Sequence, residues 1–121
     1  MAAFPTAEQG YDKAEPNPHN SFQDFGHSHW KNSLIWGINL QDITISGPGK
    51  IDGKGLTREE SRRDGVGNKV ISLKECHNVT LKDLSMFRGG HFALLATGVD
   101  NLTLDNLKVD TNLDGFDIDC S

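Results

Sequence analysis

The chain has 121 residues, 36% of them hydrophobic, and its 13 glycines bring apolar-plus-glycine usage close to the ~45–50% of ordinary folded domains. Its formal net charge is −5, and Arg58, Arg62 and Arg63 are interleaved with Glu59, Glu60 and Asp64, which excludes a basic stripe for nucleic acid. Apolar runs such as Phe92 to Ala96 are far too short to span a membrane, and Met1–Glu8 has neither the basic start nor the apolar stretch of a signal peptide.

Residues 1–30 contain Pro5, Pro16 and Pro18 and little periodicity, and read as an irregular N-terminal arm. The arm closes on Gly26-His27-Ser28-His29-Trp30. No Cys or third His follows the two histidines at ligand spacing, so a surface or packing role is expected and no metal site is assigned. Trp30 and Trp36 are candidates for a sugar-stacking platform, with Trp36, inside an apolar run, expected to be buried.

Residues 31–121 repeat one unit. Asp42-Ile43-Thr44-Ile45, Asn78-Val79-Thr80-Leu81 and Asn101-Leu102-Thr103-Leu104 each read as Asp or Asn, apolar, Thr, apolar. A second apolar run precedes each: Leu34-Ile35-Trp36, Val70-Ile71-Ser72-Leu73 and Ala93-Leu94-Leu95. Asn78 and Asn101 are 23 positions apart, whereas Asp42 and Asn78 are separated by 36. The difference is a charged insertion at about residues 54–68, where Thr57 and Glu60 have the spacing of a capping box on a short helix. Short strands are predicted near residues 33–37, 43–46, 70–73, 79–81, 93–96, 102–105 and 116–119. Ser46-Gly47-Pro48-Gly49, Arg88-Gly89-Gly90 and Asn112-Leu113-Asp114-Gly115 are the predicted turns.

A period of this length, with β-branched strands and no helical phase, predicts an all-β parallel β-helix of about three to four rungs. Ile43, Val79 and Leu102 then form one inward column, and Ile45, Leu81 and Leu104 a second. Asp42, Asn78 and Asn101 stack at a corner, where their side chains bond along the ladder. That role accounts for two matches to the N-glycosylation pattern, at Asn78 and Asn101, without glycans. Cys76 and Cys120 make no disulfide framework; they read as structural thiols, with a single bridge as the alternative.

The most acidic stretch is Val109 to Cys120. Phe116 and Ile118 alternate there with Asp117 and Asp119, giving a strand with one apolar and one acidic face. Asp114 is placed where a turn enters that strand, with Gly115 expected to adopt φ > 0. A step of 23 back from Asp114 lands on His91, a cleft-wall and substrate-binding candidate.

The stretch Ile43-Thr44-Ile45-Ser46-Gly47-Pro48-Gly49-Lys50-Ile51-Asp52-Gly53 resembles the first coil of the polygalacturonase-like pectinases, glycoside hydrolase family 28. Asn112-Leu113-Asp114-Gly115 resembles that family's Asn-Thr-Asp-Gly motif, with Leu113 where Thr is common. The resemblance covers roughly residues 20 to 121. It implies a right-handed parallel β-helix and metal-free, cofactor-free hydrolysis of pectic α-glycosidic bonds with inversion. Asp114 then matches an acid that positions or activates water, and Asn112 the amide that orients it. The family's Asp-Asp pair one rung later, its Gly-His-Gly turn and its Arg-x-Lys motif are absent from these 121 residues. The chain is therefore expected to be an N-terminal portion, inactive alone, of a secreted or periplasmic monomer acting on polysaccharide, with no nucleic-acid or membrane partner. Lys74, Lys82, Arg88 and Lys108 are available to meet an acidic glycan. A β-helical lyase using Ca²⁺, or a non-catalytic carbohydrate-binding solenoid, is the alternative.

Overall fold

The computed structural model describes residues 13–18, 21–22, 26–54, 67–111 and 114–119. Residues 55–66 of the charged insertion, Thr57 and Glu60 among them, together with Asn112, Leu113 and Cys120, lie outside the described residues. Among the described residues there is no helix, and the strands are β1 (Ser33–Ile38), β2 (Gln41–Asp52), β3 (Lys69–Lys74), β4 (His77–Phe87), β5 (Phe92–Thr97), β6 (Asp100–Asp105), β7 (Lys108–Asp110) and β8 (Asp114–Asp119).

The first sheet has the order β1-β3-β5-β8; in the second, β4 lies between β2 and β6, and β7 pairs with the later half of β4. Every pairing is parallel. Chain-consecutive strands thus alternate between sheets until β6 and β7, and equivalent strands stack from one coil to the next. This is a parallel β-helix, as the repeat requires.

The predicted columns are present. Ile43 pairs with Val79 and Val79 with Leu102; Ile45 pairs with Leu81 and Leu81 with Leu104. Val79 and Leu81, on the middle coil, are completely buried and pack with Ile71, Leu94 and Met86 in the core between the sheets. Burying each such side chain contributes about 1.5–3 kcal/mol, so the middle coil anchors the fold.

Corners are made by residues that tolerate a left-handed backbone. Asp42, Asn78 and Asn101 have φ of 58°, 55° and 56°, and Asp83 and Asn106 have 58° and 50°. Asn78 Nδ2 donates to Asp42 Oδ1 at 3.0 Å, and Asn101 Nδ2 to Asn78 Oδ1 at 2.8 Å. Asn106 Nδ2 donates to Asp83 Oδ1 at 2.8 Å, a second ladder in the same style.

Three local expectations are corrected. Ser46-Gly47-Pro48-Gly49 is not a turn between strands but lies inside β2, with a register shift between Ser46 and Gly49. A bulge accommodates Pro48 without loss of a ladder donor, so the strand bends and continues. Gly115 likewise lies inside β8 and has no left-handed φ. Trp36 is 46% exposed because β1 is the end strand of the first sheet, covered on one side only by β3; its neighbour Ile35 is 36% exposed for the same reason.

The end of the arm lies against the outer face of the first sheet. Trp30, Phe92 and Leu95 form a small apolar cluster there. Lys69 is fully buried and donates Nζ to His29 O at 2.7 Å and to Asn32 Oδ1 at 3.0 Å, which offsets the cost of burying its charge. Ser33 Oγ donates to Trp30 O at 2.8 Å, and the Glu15 N–H donates to Ser28 O at 2.7 Å.

Candidate active site

Strand β8 carries the acids. Phe116 and Ile118 pair with Leu94 and Ala96, which belong to the core. Alternation therefore turns Asp117 and Asp119, paired with Leu95 and Thr97, to the outer face. Asp114 pairs with Phe92, whose ring belongs to the outer cluster with Leu95. The step from β5 to β8 is thus 22 residues rather than 23, and Asp114 stands beside Phe92, not His91.

Asp114 is exposed, and its backbone is fixed on both sides. Its N–H donates to His91 O at 3.2 Å, and its carbonyl accepts from Thr111 Oγ1 at 3.2 Å. His91 itself is fully buried, its ring edge-on to Phe92 with centroids 4.5 Å apart. Gly26, at φ +136°, lies directly over it: a Cβ there would sit 2.9 Å from His91 Cδ2. Asn112 lies outside the described residues.

The arm brings a fourth group to this face. His27 Nε2 is 3.1 Å from Asp117 Oδ2, and His27 Nδ1 is 2.9 Å from Asp119 Oδ2. Its ring meets Phe92 edge-on at 5.0 Å. A neutral imidazole donates from one nitrogen only, so both contacts are hydrogen bonds when the cluster holds one extra proton. Burial pushes the Asp117 carboxyl above its ordinary value; His27 draws it down, and Asp119 and Asp114 raise it further. Asp117 is therefore the carboxyl suited to share that proton.

His27 was not legible as a site residue, since 92 positions separate it from Asp119. The alternation that turns Asp117 and Asp119 outward was legible. The three ligand atoms of His27, Asp117 and Asp119 lie within 4.8 Å of one another, a spacing that would hold a metal ion. A hard Ca²⁺ ion takes about 6–8 oxygen ligands, so one imidazole and two carboxylates are a poor match for it.

Beside the cluster is a concavity of about 320 Å³, lined in part by His27, Trp30, Lys74 and Asp119. Lys74 donates to Glu15 Oε1 at 2.9 Å and lies 4.4 Å from the Trp30 ring centroid. Of the other cations expected to meet an acidic glycan, Arg88 is engaged with Asp52, donating Nε to Oδ1 at 2.7 Å. That hydrogen bond holds the Asp52 carboxyl below its usual range. Lys82 and Lys108 stand on the second sheet.

Searches of curated proteins and of solved structures returned no match. A family model does match: glycosyl hydrolases family 28, over residues 18–121. That span takes in the end of the arm, both parallel sheets and the acidic strand β8. The chain belongs to family 28 of the glycosyl hydrolases.

Proposed function

We propose that this chain provides the water-activating side of an inverting hydrolase for pectic, polygalacturonan-type polysaccharide. Asp114 is the general base and Asn112 the amide that orients the water or the sugar. The observation that carries this reading is the placement of Asp114: exposed, at the entry to β8, with its backbone held by His91 O and Thr111 Oγ1. A base must keep its carboxylate aimed while substrate moves past it, and a backbone fixed on both sides serves that end.

His91 supports the site from beneath through its carbonyl. His27, Asp117 and Asp119 hold the arm to the sheet beside the base. An inverting reaction needs an acid about 6.5–9.5 Å from the base, a separation that adjacent coils of a β-helix supply. By the family resemblance that acid belongs to an Asp-Asp pair on the coil after β8. The setting of such a reaction is secreted or periplasmic.

The lyase alternative has the spacing of the His27–Asp117–Asp119 cluster in its favour and that cluster's poor match to Ca²⁺ against it. One experiment separates the two. The full-length protein is incubated with polygalacturonate, with and without EDTA, and the products are followed by proton NMR and by absorbance of unsaturated uronate. Hydrolysis predicts an inverted anomer first, no unsaturated product and no effect of EDTA. Unsaturated product that disappears with EDTA would replace this reading with the lyase.

A further inference from the structure

The bend in β2 and β4 forms a trough of about 750 Å³ on the second sheet, away from the strand that carries Asp114. Lys50 pairs with Ser85, and Ser85 with Lys108. One side of the trough is thus a lysine–serine–lysine row running across three coils. Two strand spacings put Lys50 and Lys108 roughly 9.6 Å apart along the axis. Lys82, on the middle coil, stands across the bend and pairs with Ser46.

The bend is set by the left-handed backbones of Asp83 and Asn106 and closed by their 2.8 Å side-chain hydrogen bond. Two acids are near. Asp83 is occupied by Asn106, and Asp105 reaches Lys82 at 4.0 Å with both side chains more than half exposed. Among the described residues neither Lys50 nor Lys108 has an ion-pair partner; Lys50 has only the Phe87 ring, 5.9 Å away. Three lysines and one carboxylate, Asp83, line the trough, a locally positive lining on a chain whose net charge is −5.

We propose that this trough is a second, non-catalytic polysaccharide site that takes a run of carboxylated sugars lying along the solenoid axis. Carboxylates on successive or alternate sugars meet Lys50, Lys82 and Lys108, and sugar hydroxyls meet Ser85 and Asn106. The trough contains neither arginine for phosphate nor an aromatic platform for stacked bases, which disfavours a nucleic acid as its occupant. The ligand class rests on the reading of the substrate as an acidic polysaccharide. A second attachment point raises the effective concentration of a long chain near the acidic face, which short oligomers do not feel.

The test is affinity electrophoresis in gels containing polygalacturonate, with Asp114→Asn as the background so that the polymer survives. Adding Lys50→Gln, Lys82→Gln and Lys108→Gln is expected to weaken retention about tenfold, the loss of two or three exposed ion contacts. The corresponding three arginine substitutions keep retention, and circular dichroism shows all variants folded. Salt abolishes the difference between lysine and glutamine forms. Equal retention of the glutamine variant by polygalacturonate would overturn the site. Equal retention of the lysine form by dextran sulfate would overturn its assignment to carboxylated sugars. Failure of the hydrolase reading appears separately, as intact polygalacturonate after incubation with the full-length wild-type protein.

Discussion

Asn101 hands its side-chain amide to Asn78 at 2.8 Å, and both residues hold the same left-handed backbone, φ 56° and 55°. One residue type thus meets two demands of a β-helix corner. It tolerates the conformation, and it bonds to its equivalent on the next coil.

Substitution at Asn78 separates those demands. Asn78→Ala loses both the conformation and the amide and is expected to cost about 1–2 kcal/mol in urea unfolding. Asn78→Gly restores the backbone freedom but not the amide and should fall between alanine and wild type. An alanine variant with an unchanged urea midpoint would show that the ladder contributes nothing.

Much of this architecture was legible because the repeat is physical. Ile43, Val79 and Leu102 occur at equivalent positions because one column must be filled on every coil. Positions where alternation competes with composition were harder. Trp36 sits in an apolar run, yet β1 is the end strand of its sheet and leaves both Trp36 and Ile35 exposed. Pro48 reads as a turn signal, yet a bulge keeps it within β2. The acidic face of β8 followed from period two, but the imidazole across it arrives from an arm with no periodicity at all.

The raised pKa of Asp117 has a sign that can be tested. Its ordinary value is 3.8, and burial together with its acidic neighbours raises it in the folded chain. The folded state then binds the proton more tightly, so stability falls as pH rises from 3.8 through the folded value. Asp117→Asn keeps a hydrogen-bonding partner for His27 but removes the titration. Urea midpoints across that window should fall less steeply with pH for the variant than for wild type. Identical slopes would mean that Asp117 does not titrate abnormally.

The arm depends on Gly26. At φ +136°, with His91 Cδ2 2.9 Å from any Cβ, alanine is both strained and crowded. Gly26→Ala is expected to destabilise by about 1–3 kcal/mol and to expose the Gly26–Trp30 segment to limited proteolysis. A variant as stable and as protease-resistant as wild type would show that the arm does not need this close approach.

Asp117 and Asp114 should differ in kind. Asp117 holds His27 at 3.1 Å and is assigned no step in the chemistry. Asp117→Asn is expected to keep most of the kcat on polygalacturonate, with its effects confined to stability. A loss as large as that of Asp114→Asn would move Asp117 into the reaction.

The most direct measurement is steady-state hydrolysis of polygalacturonate by the full-length protein carrying Asp114→Asn. The amide keeps the shape of the side chain and removes its basicity. If Asp114 activates water, kcat falls by about 10²–10⁴-fold while KM and the circular dichroism spectrum change little. A variant that keeps more than about a tenth of the wild-type kcat, against that general-base range, would make Asp114 a structural residue at the entry to β8.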